Sequence, residues 1–307
     1  MSTETADTTK NVHRTALNHI AAAIDLSPES EDAAVLAAVI AAAADADLML
    51  LAIEPELPLM IPGGDWRAMR GETETLLSRV RASCAPGARF AIDTDLSAAR
   101  GLHRLVRREH RQLLALGSSL HGPLGEVSIG HKTRQLLDEL ECALAIAPRG
   151  LRSRGRFDLR RVAVGFDGGP EAVAALATAA TLAAGSGAEL IVRGVLDDRI
   201  PALGWPHLWM GGILDAWREV MDDEAESLRA QMQKAVSALG VEASVQVTRG
   251  RAADALRELS GDVDLLVIGS RRWGPLARML LGGTGEALVH GATCSLVIVP
   301  RPEATTP

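Results

Sequence analysis

At 307 residues, 47% of them apolar, and with a net charge of −7, the chain is long enough for about two cored domains and too apolar to stay disordered. Three cysteines (Cys84, Cys142, Cys294) without a CxxC pair exclude a disulfide framework or a cysteine-based zinc site, and the acidic balance argues against a dedicated nucleic-acid binder. Tyrosine is absent, aromatics total 3%, and lysine occurs only at Lys10, Lys132 and Lys234, which leaves neither stacking platforms for single strands nor a P-loop lysine.

The polar opening MSTETADTTK lacks the basic-then-apolar order of a signal peptide, and residues 1–14 are expected to form a disordered tail. Strands are expected at 19–24, 48–53, 89–94, 113–117 and 143–147, with helices between them. The Ala-rich run 33–44 is too short for a bilayer, so no membrane association and a cytoplasmic location are expected. Cys84 falls in a polar loop, and the Arg-rich helix around His103 and His110 reads as having a solvated charged face. The basic stretch 149–160 reads as a solvated linker.

Beyond it, a strand at 161–166 turns through Asp167-Gly168-Gly169 into a helix with Pro170 at its first position. That Ala-rich helix runs to Gly185, and Gly185-Ser186-Gly187 reads as the turn into a strand at 189–195. Residues 200–217 hold three of the five tryptophans, Trp205, Trp209 and Trp217. A helix from about 213 to 239, a strand at 243–248, a helix at 252–259, a strand at 265–269, a helix from about 286 and a strand at 295–299 complete the pattern.

The chain repeats itself. LALGSSLHGPL from Leu114 answers LVIGSRRWGPL from Leu266, CALAIAPR from Cys142 answers CSLVIVPR from Cys294, and AAAIDLSPES answers VAVGFDGGPEA. Apolar strands without alternation are covered on both faces. The expected fold is therefore α/β, with two tandem Rossmann-like domains at 15–148 and 161–302, each a five-stranded parallel sheet flanked by helices.

Parallel sheets bind ligands at the carboxyl ends of their strands, near the switch in strand order. Asp25 and Asp167 follow the first strand of each half, and Gly117 and Gly269 end the fourth. Either aspartate is a candidate general base or Mg2+ ligand, although no second carboxylate is fixed beside it by sequence. Gly269, Arg271 and Arg272, followed by Gly282-Gly283-Thr284, suit a phosphate cradle made of backbone amides and arginine.

These turns and the CSLVIVP ending resemble the universal stress protein family, in a tandem, HUP-type form covering nearly the whole chain. ATP-binding members carry G-x2-G-x9-G-[ST]. Here Gly269 is the first glycine, Arg272 replaces the second, Gly282 is the third, and Gly283 stands where Ser or Thr is usual, with Thr284 next. The resemblance implies ATP, with or without Mg2+, bound mainly in the second half, with Asp167 and Gly168 near the adenosine and Val195 near the base. A degenerate second site would use Asp25, Ile53, Gly117, Gly130 and Lys132, with Leu120 replacing the middle glycine. It further implies a stress-response sensor or regulator with slow hydrolysis at most, an antiparallel pairing of the final strands as an intramolecular pseudo-dimer, and homodimers. The competing expectation is a nucleotide-free scaffold or chaperone-like module that meets a protein partner through 200–217.

Overall fold

The computed structural model describes residues 17–55, 66–137, 140–198, 212–270 and 281–300. The first half runs β1 (His19–Ala23), α1 (Glu29–Ala44), β2 (Asp47–Pro55), α2 (Trp66–Cys84), β3 (Arg89–Asp95), α3 (Ala98–Arg108), β4 (Leu113–Gly117), α4 (His131–Leu137) and β5 (Ala143–Ala147). A 3-10 turn at Leu151–Arg154 leads to β6 (Arg161–Phe166), α5 (Pro170–Ser186), β7 (Glu189–Leu196), α6 (Gly212–Leu239), β8 (Ser244–Arg249), α7 (Ala252–Ser260), β9 (Leu265–Gly269), α8 (Gly283–Leu288) and β10 (Ser295–Val299). The expected strands all form. The last helix begins at Gly283 rather than near 286, because the Glu286 amide already donates to the Gly282 carbonyl and closes the first turn.

The strands make one sheet in the order β3-β2-β1-β4-β5-β10-β9-β6-β7-β8. Every pairing is parallel except β5 with β10, which run antiparallel with Val297 opposite Ala145. Each half thus has the order 3-2-1-4-5, and the two edges that would otherwise be open satisfy each other. Strands buried on both faces explain the unbroken apolar runs. Leu36, Ile40, Leu77, Leu176, Leu182 and Met232 cover one face, from α1, α2, α5 and α6. Leu105, Leu136, Leu137, Leu256, Leu259 and Leu288 cover the other, from α3, α4, α7 and α8.

Four expectations need correction. Cys84 is the last residue of α2, continuing the helical face of Leu77 and Val80, and is not in a loop. The arginine face of α3 is not simply solvated: Arg100 and Arg104 each reach the nearly inaccessible Asp95 carboxylate at 2.6 Å, and Arg104 also reaches Asp93 at 2.9 Å. The basic stretch after β5 is held by the acidic first turn of α1, where the buried Asp32 carboxylate accepts from the Gly150 amide at 2.7 Å and the Arg152 amide at 2.8 Å. Finally, Gly187, with φ of 69°, caps α5 as the turn residue, while Gly185 lies within the helix. A Cβ on Gly185 would stand 1.7 Å from the Ala43 carbonyl oxygen, so this glycine serves the crossing of α5 with α1.

Candidate functional site

The carboxyl ends of β6, β7 and β9 open into a cavity of about 440 Å³ in the second half, within the range of small-molecule sites. Asp167, Val195, Gly269, Gly282, Gly283 and Thr284 line it together, although they are spread from β6 to α8. Gly168 sits beside them at the turn, with φ of 83°, a left-handed conformation that suits glycine. Arg271 and Arg272 lie outside the described residues.

Local chemistry fixes the turn. The Asp167 carboxylate accepts from the Gly169 amide at 3.0 Å, and Pro170 opens α5 directly after it. Gly269 has a packing reason as well as a ligand one: a Cβ there would stand 2.7 Å from the backbone carbonyl of Glu171. Gly283 lines the cavity and has open space where a Cβ would go.

Four charged lining residues escape the motif: Glu171, Arg193, Asp197 and Arg251. Strand periodicity could have found one of them, since Arg193 lies two residues before Val195 and shares its face, whereas Asp197 follows the end of β7. Glu171 supplies the second carboxylate that sequence spacing left unassigned beside Asp167; a Cβ on Gly169 would stand 3.1 Å from both carboxylates.

The first half has its own cavity of about 520 Å³, lined by Asp25, Ile53, Gly117 and Gly130 together with Leu102, Leu116, Leu120 and Leu136. The side chain of Lys132 lies outside the described residues. Gly117 is again a close-packing position, 2.1 Å from the Glu29 carbonyl oxygen to a built Cβ. Asp25 is engaged locally, accepting from both the amide (2.9 Å) and the hydroxyl (2.5 Å) of Ser27. Where the second half has left-handed Gly168, the first has Leu26, whose side chain is 87% exposed.

The loop after β4 closes on itself and then on the other half. Ser118 Oγ donates to the Ala147 carbonyl and accepts from the Ser128 amide. The Val127 and Ile129 amides donate to the carbonyls of Ala292 and Val289, directly after α8. Arg134 on α4 meets Glu286 on α8 at 2.5 Å, and its hydrogen bond holds the Glu286 carboxyl below the usual range against the opposing effect of burial. The helix that follows the Gly282 turn is therefore braced by the first half.

Cys142 and Cys294 occupy matching core positions, where burial pushes both thiols up to about 12. Among the described residues, no three of His, Cys, Asp and Glu are grouped for a metal ion. No described helix is long and apolar enough to cross a membrane.

Comparison with known proteins agrees with this architecture. A family model described as the universal stress protein family matches residues 158–300. The universal stress protein Slr1101 of Synechocystis sp. is 30% identical over 111 residues, covering 35% of this chain and all of that protein. Among solved structures, a universal stress protein from Archaeoglobus fulgidus DSM 4304 superposes with a TM-score of 0.65 at 18% identity, over 93% of this chain and 99% of its own. A functionally unknown protein from Pseudomonas aeruginosa PAO1 gives 0.61 at 15% identity, over 94% of each chain. With the whole length of a relative matched at this identity, the chain belongs to the universal stress protein family.

Proposed function

We propose that the second-half cavity binds an adenine nucleotide, ATP with or without Mg2+, and that the protein acts in a stress response by binding rather than by turnover. The observation carrying this reading is the convergence of Asp167, Val195, Gly269, Gly282, Gly283 and Thr284 on one cavity at the carboxyl ends of parallel strands. In this reading the amides of Gly283 and Thr284 take the phosphates, Asp167 meets the ribose, and the Val195 backbone faces the base. Residues 15–148 form a degenerate unit that braces the binding unit at 161–302, and homodimers form through surfaces other than the shared sheet.

Calorimetry with ATP tests it on the full chain. The wild type binds, and Gly282→Trp, which fills the cavity at the turn, abolishes the heat while circular dichroism stays native. An absence of binding at millimolar ATP overturns the proposal.

One observation favours a second reading, a scaffold that meets partners or its own copies. Leu26, Leu96, Leu120 and Leu124 follow β1, β3 and β4 and are exposed at the carboxyl end of the first-half sheet. A contiguous apolar patch marks a contact surface, and this reading takes these leucines as parts of one. In that reading the contact is made by the first half, whereas the Trp-rich residues 200–211 lie outside the described residues.

A further inference from the structure

Strand β7 carries an arginine where its counterpart carries a leucine. Gly165 of β6 pairs with Arg193 as Ala23 of β1 pairs with Leu51, so Arg193 occupies the place that fully buried Leu51 fills in the first half. A leucine suffices to pack the position, and an arginine brings a desolvation cost that leucine does not. Arg193 is half-buried and its Nη2 reaches Gln246 Oε1 at 2.6 Å, but its inaccessible Nε has no partner among the described residues. A buried donor left unmade is destabilising, and an acceptor arriving with a ligand would relieve it.

A second departure from the repeat lies beside it. Ser97 caps α3 by accepting from the Arg100 amide, whereas the same position before α7 is Arg251, which makes no side-chain cap. The amides of Ala252 and Ala253 have no acceptor among the described residues, and both residues line the cavity together with Arg193 and Arg251. Among the described residues Arg251 makes only a long contact to Asp254, 3.7 Å, with both side chains largely exposed. From β9, which ends at Gly269, to β8, which precedes Arg251, the order β9-β6-β7-β8 spans three strand spacings, roughly 14 Å. Arg251 therefore stands at the end of the cavity remote from the glycine turn, with Arg193 one strand nearer to it. The carboxylates of Asp167, Glu171 and Asp197 line the same cavity and are suited to ribose hydroxyls or base amines.

We propose that Arg193, Arg251 and the first amides of α7 form a second anion subsite. It selects a nucleotide that carries a phosphate on the 2′ or 3′ oxygen of its ribose in addition to the 5′ phosphate. This rests on the nucleotide reading of the cavity and narrows it to a substrate class.

Calorimetry of the full chain with AMP, adenosine 3′,5′-bisphosphate and adenosine 2′,5′-bisphosphate tests it. One bisphosphate binds the wild type about 10- to 100-fold tighter than AMP, the gain expected of charge-assisted hydrogen bonds. Arg193→Leu and Arg251→Ser, which restore the residues of the first half, each reduce that ratio to about threefold or less. A wild type that binds AMP and both bisphosphates alike overturns the subsite and leaves the nucleotide reading standing, as does a ratio unchanged in both variants. Binding of none of the three overturns the nucleotide reading and the subsite together.

Discussion

Asp32 shows how a single side chain organises a segment that sequence presents as mere connection. It sits in the first turn of α1 with no solvent exposure, and its two oxygens take the amides of Gly150 and Arg152 from more than a hundred residues away. The Arg152 guanidinium adds a longer contact at 3.4 Å and also donates to the Pro28 carbonyl. Asp32→Ala leaves the two backbone donors without an acceptor and removes one of the contacts of the Arg152 guanidinium, and lost buried hydrogen bonds of this kind cost about 1–3 kcal/mol each. The expected loss is about 2–4 kcal/mol, read as a lower urea midpoint at unchanged slope, while Asp32→Asn, keeping one acceptor, loses roughly half as much. A loss below the noise of such titrations would show that the turn is held otherwise. None of this was legible beforehand, because an aspartate near a helix start and a basic stretch far along the chain carry no local sign of each other.

The strands and helices were legible for a physical reason: each buried strand is a short apolar run closed by glycine, proline or aspartate. What held the elements to one another was less so. The arginines of α3 read as a solvated face, yet they lock onto Asp93 and Asp95 of β3, with Ser97 capping the helix between them. At the other end of the sheet, Asp47 gathers Arg89, Arg111 and His19 from three further segments. Burial by itself raises the Asp47 pKa, but the hydrogen bonds from Arg111, His19 and Arg89 outweigh it and hold the carboxyl down at about 2. An unfolded aspartate titrates near ~3.9, so the stabilisation is whole above that pH and disappears as the pH falls toward the folded value. The wild type should therefore be more stable than Asp47→Asn at neutral pH. The two stability curves should converge between roughly pH 4 and pH 2. Thermal unfolding of both proteins across that range measures it, and parallel curves would remove Asp47 from the acid response.

Duplication made the doubled fold readable, and the glycine spacing led to most of one cavity. The repeat does not encode the places where its two copies differ or meet. Arg193 and Arg251 are departures from the first half, and it is the register setting Arg193 opposite Gly165 that matches Arg193 to Leu51. The joint itself combines the β5–β10 pairing with the crossing of α1 and α5, where Gly185 sits against the Ala43 carbonyl. Intrinsic helix propensity gives Gly185→Ala a gain of about 1 kcal/mol. The close approach reverses the sign: with a backbone carbonyl in the way, the two helices must separate, and overpacking of this kind costs about 1–3 kcal/mol. Both halves share one sheet, so the loss should appear as a single transition moved to lower denaturant, with far-UV circular dichroism and tryptophan fluorescence coincident. A stabilised variant would mean that the crossing is looser than the packing implies. Two separated transitions would mean instead that the halves fold as independent units despite the strand pairing between them.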